Sequence, residues 1–167
     1  MDIQEIALTR LKPKAFIREQ VESIRRTVGD GTAVVALSGG VDSAAVTMLG
    51  HLALGPRLTT YFVENGLMRA GEPRAIVSLF KRLGVRVELV DAKAQFFDAL
   101  AGLTDPEQKR EAVTQTFYKT VFGPLVRESG ARFLLQGTNY TDVEETVAGI
   151  KRQHNVLTQL GIDTEKV

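Results

Sequence analysis

The feature that constrains the fold most is a regular alternation of short apolar runs with helix-like stretches. Four runs have the length and composition of strands: residues 32–37, 58–63, 85–90 and 132–136. Stretches with helical spacing or helix-end signals precede and separate them: 13–28, 42–52, 72–83, 93–101 and 106–129. Strands that alternate with helices in this way are typical of a parallel sheet. The sequence therefore predicts an α/β fold in which helices cover both faces of a parallel sheet.

The longest predicted helix carries both a start signal and an internal break. Asp105 is placed as an N-cap, and Pro106 follows at the first helical position, where a missing N–H costs nothing. Gly123 and Pro124 interrupt the stretch 106–129. Because proline cannot donate the helical hydrogen bond, we expect this pair to kink or divide the helix.

Length and charge restrict the classes of protein that are open to this chain. The 167 residues correspond to a single domain, 1–167, and Lys plus Arg (21) nearly balances Asp plus Glu (20), for a net charge of +1. A balance of this kind lacks the basic excess of nucleic-acid-binding domains, so no nucleic-acid partner is expected. The sequence holds neither a membrane-spanning apolar run nor a signal peptide, which predicts a cytoplasmic protein.

Cysteine and histidine narrow the chemistry further. The chain has no cysteine, which excludes disulfides, thiolate metal sites and a cysteine nucleophile within it. The two histidines, His51 and His154, are too far apart in the sequence to indicate a histidine metal cage.

One segment has the properties of a phosphate-binding loop. It lies between the first predicted strand and its helix and reads Ser38, Gly39, Gly40, Val41, Asp42 and Ser43. Glycines let backbone N–H groups approach a ligand closely, and the start of the helix favours an anion. An ordinary strand-to-helix turn capped by Ser or Asp is the competing interpretation. The loop matches neither the GxxxxGK[ST] pattern nor GxGxxG.

The literal string SGGVDS resembles the PP-loop of the N-type ATP pyrophosphatases, and within that superfamily the chain is similar to the ATP-pyrophosphatase domain of GMP synthetase. The resemblance extends over about residues 21–155 and includes FVENGLMR at 62–69, DPEQKR at 105–110 and LQGTNYTD at 135–142. It implies an adenine nucleotide alpha hydrolase-like, Rossmann-like fold that uses ATP and Mg²⁺.

The resemblance also implies roles for individual residues. Ser38, Asp42 and Ser43 would be the catalytic residues, and Asp42 and Glu145 the carboxylates that bind the metal. The residues that would contact the nucleotide are Ala36, Leu37, Ser38, Gly39, Gly40, Val41, Asp42, Ser43, Val63, Gly137 and Thr138.

Several of these positions have a structural alternative. Val63 could simply be a core residue, and Glu145 could belong with Glu144 to a solvated helix face. Lys109 and Arg110 are either an ordinary exposed pair or ligands of a phosphate. His51 is interpreted as a structural residue of the first crossover helix.

The reaction implied by the resemblance is adenylation of an acceptor carbonyl oxygen, by analogy that of xanthosine monophosphate, followed by amination. Ammonia would come from solution or from a separate glutaminase subunit, and AMP and pyrophosphate would be released. The segment KRQHNV at 151–156 departs from the family's KSHHNV, and Glu64 replaces Asp or Asn. A paralogue with another acceptor and an ATP-binding module without turnover therefore stay open as alternatives.

The end of the chain carries a final expectation. Residues 150–167 are polar and are predicted to lack a closing element. In the family a further strand, a lysine-bearing segment and a dimerising carboxyl-terminal domain complete the enzyme, and all would lie beyond Val167. The chain is therefore expected to be a fragment with an unpaired sheet edge, and a homodimer is left open.

Overall fold

A computed structural model describes residues 12–137 and 165–166 of the chain. Five parallel strands form a sheet in the order β3-β2-β1-β4-β5, so that β1 lies at its centre. The strands are β1 (Ala33–Ala36), β2 (Leu58–Glu64), β3 (Val87–Asp91), β4 (Phe133–Leu135) and β5 (Glu165–Lys166). The four strands predicted from the apolar runs are confirmed, with ends shifted by up to two residues.

Six α-helices fall within the described part of the chain. They are α1 (Pro13–Val28), α2 (Val41–Leu54), α3 (Glu72–Arg82), α4 (Lys93–Leu100), α5 (Pro106–Gln115) and α6 (Gly123–Ser129). A short 3₁₀ turn, Gly55–Arg57, links α2 to β2. None of these helices has both the length and the apolar character that crossing a bilayer would require.

The central strand shows how the sheet is covered on both faces. Ala33 and Val35 pack with α1 and α2 on one face, whereas Val34 packs with Phe122 and Val126 on the other. All three strand residues are almost completely buried, because successive side chains of a strand point to opposite faces. The predicted arrangement of a parallel sheet between two helical layers is confirmed, and it explains why β1 is apolar throughout.

The long helix predicted over residues 106–129 is divided, although its break precedes the Gly-Pro pair. Residues Thr116–Phe122 form a π-helical segment, and α6 begins at Gly123. Pro124 lacks an N–H and its ring excludes the carbonyl four residues earlier, so the chain widens in the preceding turns. The start of the helix agrees with the prediction, since Asp105 Oδ1 accepts a hydrogen bond from Gln108 N at 2.9 Å.

The expectation of a tail without a closing element was wrong. Glu165 and Lys166 form β5, which pairs in parallel with β4 at Phe133 and Leu134. Pairing uses backbone groups alone, so two polar residues are able to extend a sheet although their composition does not predict a strand. The outer edge of β4 therefore has a partner at these positions, contrary to the predicted unpaired edge.

Candidate functional site

The glycine-serine loop (residues 38–43) leaves the sheet at the carboxyl end of its central strand. Leu37, which follows β1, anchors the start of the loop. Its N–H donates to the carbonyl of Tyr61 on β2 at 2.8 Å, and its side chain is 2% exposed. Phe62 and Phe80 belong to the same buried cluster. The loop therefore starts from a fixed point, at the end of the sheet where parallel α/β proteins bind ligands.

Two serines close the loop with hydrogen bonds of their own. The Oγ atoms of Ser38 and Ser43 lie 2.9 Å apart, and Ser43 Oγ also accepts from the N–H of Ser38 at 3.2 Å. The hydroxyl of Ser43 donates to the carbonyl of Gly40 at 3.1 Å. The N–H of Gly40 donates to Ser38 Oγ at a longer 3.4 Å. The loop thus brings two hydroxyl groups together at the surface.

The two glycines of the loop differ in backbone conformation. Gly39 has a φ of +87°, which other residues adopt only with strain. Gly40 has an extended φ of −74° and is the N-cap residue of α2, which has no side-chain cap. A helix start without a side-chain cap, at the carboxyl end of a parallel sheet, is able to bind an anion in place of the missing cap.

Asp42 supplies the carboxylate of the loop. It lies in the first turn of α2 and is exposed. Within residues 12–137 and 165–166, no three His, Cys, Asp or Glu side chains are close enough to hold a metal ion together. A single carboxylate such as that of Asp42 fits Mg²⁺, because this ion is commonly held by one or two carboxylates together with phosphate oxygens. Glu145, the second predicted metal ligand, lies outside the described residues.

Gly137 brings the end of β4 against the first turn of α2. A methyl group at this position would lie 3.1 Å from the carbonyl oxygen of Asp42 and 3.3 Å from Val46 Cγ2. The structure therefore places Gly137 beside the loop. Its contact with a nucleotide stays a prediction, and Thr138 lies outside the described residues.

The residues predicted to border an adenosine lie at the carboxyl ends of β1 and β2. Val63 is 5% exposed and packs with Ala92, Phe96 and Val121, so its core role is shown, whereas its place beside an adenosine stays a prediction. Ala36 is half-buried on the same face of the sheet.

Glu64 is the last residue of β2, and its side chain bonds to the backbone of the loop that follows. Its Oε1 accepts from the N–H of Gly66 at 3.2 Å. Gly66 has a φ of +76°, and a side chain there would collide with the ring of Phe97 at 2.6 Å. Sequence reasoning did not single out the contact between Gly66 and Phe97, because these residues are distant from each other in the chain.

The remaining candidates lie on α5 and at the end of α2. Arg110 pairs with Glu107 at 3.2 Å on the exposed face of α5, and Lys109 beside it is also exposed. His51 lies in the last turn of α2 and helps to line a cavity of about 410 Å³ at the amino ends of β2 and β3. This cavity is at the opposite end of the sheet from the loop, so it takes no part in the site described here.

The fold and the loop together define an α/β domain of the adenine nucleotide alpha hydrolase type. Two solved structures share this fold. The NH3-dependent NAD synthetase of Campylobacter jejuni has a TM-score of 0.67 at 14% identity, over 84% of this chain and 62% of that one. The glutamine-dependent NAD+ synthetase of Acinetobacter baumannii, in complex with ADP, has a TM-score of 0.65 at 17% identity, over 95% of this chain and 34% of that one.

Sequence similarity identifies the relatives more narrowly. The chain is 47% identical over 141 residues to one subunit of the glutamine-hydrolysing GMP synthase of Archaeoglobus fulgidus, covering 84% of this chain and 46% of that protein. The corresponding subunit from Methanocaldococcus jannaschii is 44% identical over 156 residues, or 93% and 50% of the two proteins. No family model matches. The resemblance to GMP synthetase is therefore confirmed, and the chain spans about half the length of these curated relatives.

Proposed function

We propose that this chain is the ATP-pyrophosphatase unit of a GMP-synthase-type ligase. The observation that carries the proposal is the glycine-serine loop, which opens an uncapped helix at the carboxyl end of the central strand. The similarity to the two GMP synthase subunits supports the same reaction class. On this proposal the loop binds the phosphates of ATP, and the protein works in the cytoplasm on soluble metabolites.

The loop residues divide the work of holding the phosphates. On this proposal the N–H of Gly39 and the start of α2 bind the anion, and the N–H of Gly40 and the hydroxyls of Ser38 and Ser43 exchange their hydrogen bonds within the loop for bonds to phosphate oxygens. The carboxylate of Asp42 would hold Mg²⁺. When bound, the ion neutralises charge on the phosphates and makes pyrophosphate a better leaving group.

The reaction needs no nucleophilic side chain. A carbonyl oxygen of the acceptor, in our proposal xanthosine monophosphate, attacks the α-phosphorus of ATP while the bond to pyrophosphate breaks. Ammonia then adds at the activated carbon and AMP leaves, so an amino group replaces the oxygen. A separate glutaminase subunit or ammonia from solution supplies the nitrogen. Fixed donors around the phosphates are enough for such chemistry, because catalysis then depends on position and charge.

Calorimetric titration of Mg-ATP into the chain tests the binding step. We expect Asp42→Ala and Gly39→Val each to weaken binding by about 100-fold or more, the scale on which lost charge contacts and misplaced donors act. Asp98→Ala removes an exposed aspartate from α4, and Gly55→Val strains a glycine of φ +56° that is remote from the loop. These two controls should bind Mg-ATP like the original chain. Binding that is equal in all five proteins would contradict the proposal.

Product analysis tests the reaction step. The chain, or a longer natural form that contains it, is incubated with Mg-ATP, xanthosine monophosphate and ammonium. AMP, pyrophosphate and GMP in equal amounts would support the full proposal. Turnover that requires a different carbonyl acceptor would indicate a paralogue, and ATP that binds but stays unaltered would indicate a nucleotide-binding module.

A further inference from the structure

We propose that Gly137 is a positioning residue that fixes the place of Asp42. Because Gly137 has no side chain, the end of β4 is able to press against the backbone of Asp42 and set the direction from which its carboxylate leaves the helix. The effect of Gly137 on binding rests on the proposed function, because that proposal assigns Mg²⁺ to Asp42. The inference gives Gly137 a role that acts through another residue rather than through a contact with ATP.

The geometry around Gly137 is tight on the side of α2. A methyl group would lie 3.1 Å from the carbonyl oxygen and 3.2 Å from the carbonyl carbon of Asp42, with Val46 Cγ2 at 3.3 Å. The two nearest atoms belong to the backbone of the first helical turn. They are unable to move aside as a flexible side chain would, so an added methyl displaces the turn itself.

The neighbouring strand holds the other side of the loop. The N–H of Leu37 donates to the carbonyl of Tyr61 on β2 at 2.8 Å. The segment from Leu37 to Asp42 is thus fixed by a hydrogen bond to β2 at its start and by the packing of β4 at its end. Because Leu37 is held by β2, a displacement caused at Gly137 is not taken up at the start of the loop. It moves the first turn of α2 instead.

A second glycine provides a matched control for crowding alone. Gly31 precedes β1, at the end of that strand opposite to the loop, and a methyl group there would lie 3.0 Å from the ring of Phe133 and 3.0 Å from the carbonyl oxygen of Val28. The crowding is as severe as at Gly137. It is remote from the loop, so Gly31→Ala shares the steric cost of Gly137→Ala without touching Asp42.

The experiment measures ATP binding to both variants, with Mg²⁺ and with EDTA in its place. Gly137→Ala should weaken Mg-ATP binding by about tenfold or more and should weaken metal-free ATP binding clearly less, because the displaced turn carries phosphate-binding groups in both cases whereas the carboxylate of Asp42 acts only through the metal. Gly31→Ala should change neither. In the ligand-free chain, the amide resonances of Asp42 and Ser43 should move in Gly137→Ala and stay in place in Gly31→Ala.

The outcomes separate this inference from the proposed function. Equal weakening with and without Mg²⁺ would overturn the inference, because the effect would then not pass through the carboxylate of Asp42, and unmoved amide resonances would overturn it as well. If the original chain binds no ATP, the proposed function fails, while the ligand-free resonances still decide whether Gly137 positions Asp42.

A double variant covers the case in which Gly137→Ala does not fold. Adding Val46→Ala removes the contact with the Val46 side chain and leaves the contact with the Asp42 backbone, so the double variant is less crowded than Gly137→Ala and should still show the larger loss of binding with Mg²⁺. Full recovery of Mg-ATP binding in the double variant would overturn the inference, because the crowding would then act through Val46.

Discussion

Strand β1 is flanked by glycine turns at both ends, and the two turns are held in different ways. At the amino end, Arg57, which lies between α2 and β2 in the chain, donates to the carbonyls of Gly29 and Gly31. At the carboxyl end, Ser38 and Ser43 bond to each other and to the loop backbone. The first turn is fixed by a distant side chain, whereas the hydroxyl bonds of the second come from within six residues.

The turn before β1 therefore contributes to stability, whereas the loop after β1 is suited to binding a ligand. Breaking the amino-terminal turn removes the bonds that tie the connection between α1 and β1 to the residue before β2, so it lowers the stability of the fold. Exchanging the hydrogen bonds of the carboxyl-terminal loop affects only the loop, so a ligand is able to replace them at little cost to the core. A binding site needs this local independence, because its own polar groups must be available to the ligand.

Arg57→Met should have the largest effect and should act on stability alone. The change keeps the aliphatic stem and removes the hydrogen bonds to two carbonyls, which should lower the free energy of unfolding by about 2 kcal/mol, the range for bonds to a charged group. Chemical denaturation measures it. Arg86→Met is the matched control, because Arg86 is exposed and has no ion pair or hydrogen bond within residues 12–137 and 165–166. A change in Mg-ATP affinity in Arg57→Met would break the comparison.

Ser43→Ala should have a smaller effect and should act on binding. Its hydroxyl bonds to Ser38 and to the carbonyl of Gly40, and we expect its loss to weaken Mg-ATP binding by about tenfold while costing less than about 1 kcal/mol of stability. Ser129→Ala is the control, because Ser129 also bonds to local backbone, donating to Val126 O at 2.7 Å far from the loop. Stability loss without weaker binding would place Ser43 with the structural turn.

Tyr61 should give the smallest effect, visible only at high pH. Burial raises the pKa of its hydroxyl above the ordinary 10.0, and the nearby carboxylates of Glu88 and Glu128 raise it further. The folded state therefore holds this proton more tightly than the unfolded chain, so the stabilisation is complete below pH 10 and is lost as the pH rises through the folded pKa. Tyr61→Phe should flatten the alkaline fall in unfolding free energy. A slope identical to that of the original chain would contradict this assignment.

Local sequence determined the elements and the place of the loop. The apolar run before Ser38 predicted the central strand, and Asp105 and Pro106 predicted the start of α5, because strands buried on both faces and helix caps depend on residues that are neighbours in the chain. The string SGGVDS, together with the motifs at 62–69, 105–110 and 135–142, predicted the resemblance to GMP synthetase that the sequence comparisons confirm. These inferences required no knowledge of which segments meet.

Tertiary structure alone decided the contacts between distant segments. The polar pair Glu165 and Lys166 became a strand because the edge of β4 offered backbone partners, and the π-helical turns formed where the chain around Pro124 had to remain packed on the sheet. The approach of Gly137 to Asp42 likewise depends on β4 lying beside β1. A sequence records which residues are able to form an element, but the free energy of a contact between distant residues exists only once the fold has brought them together.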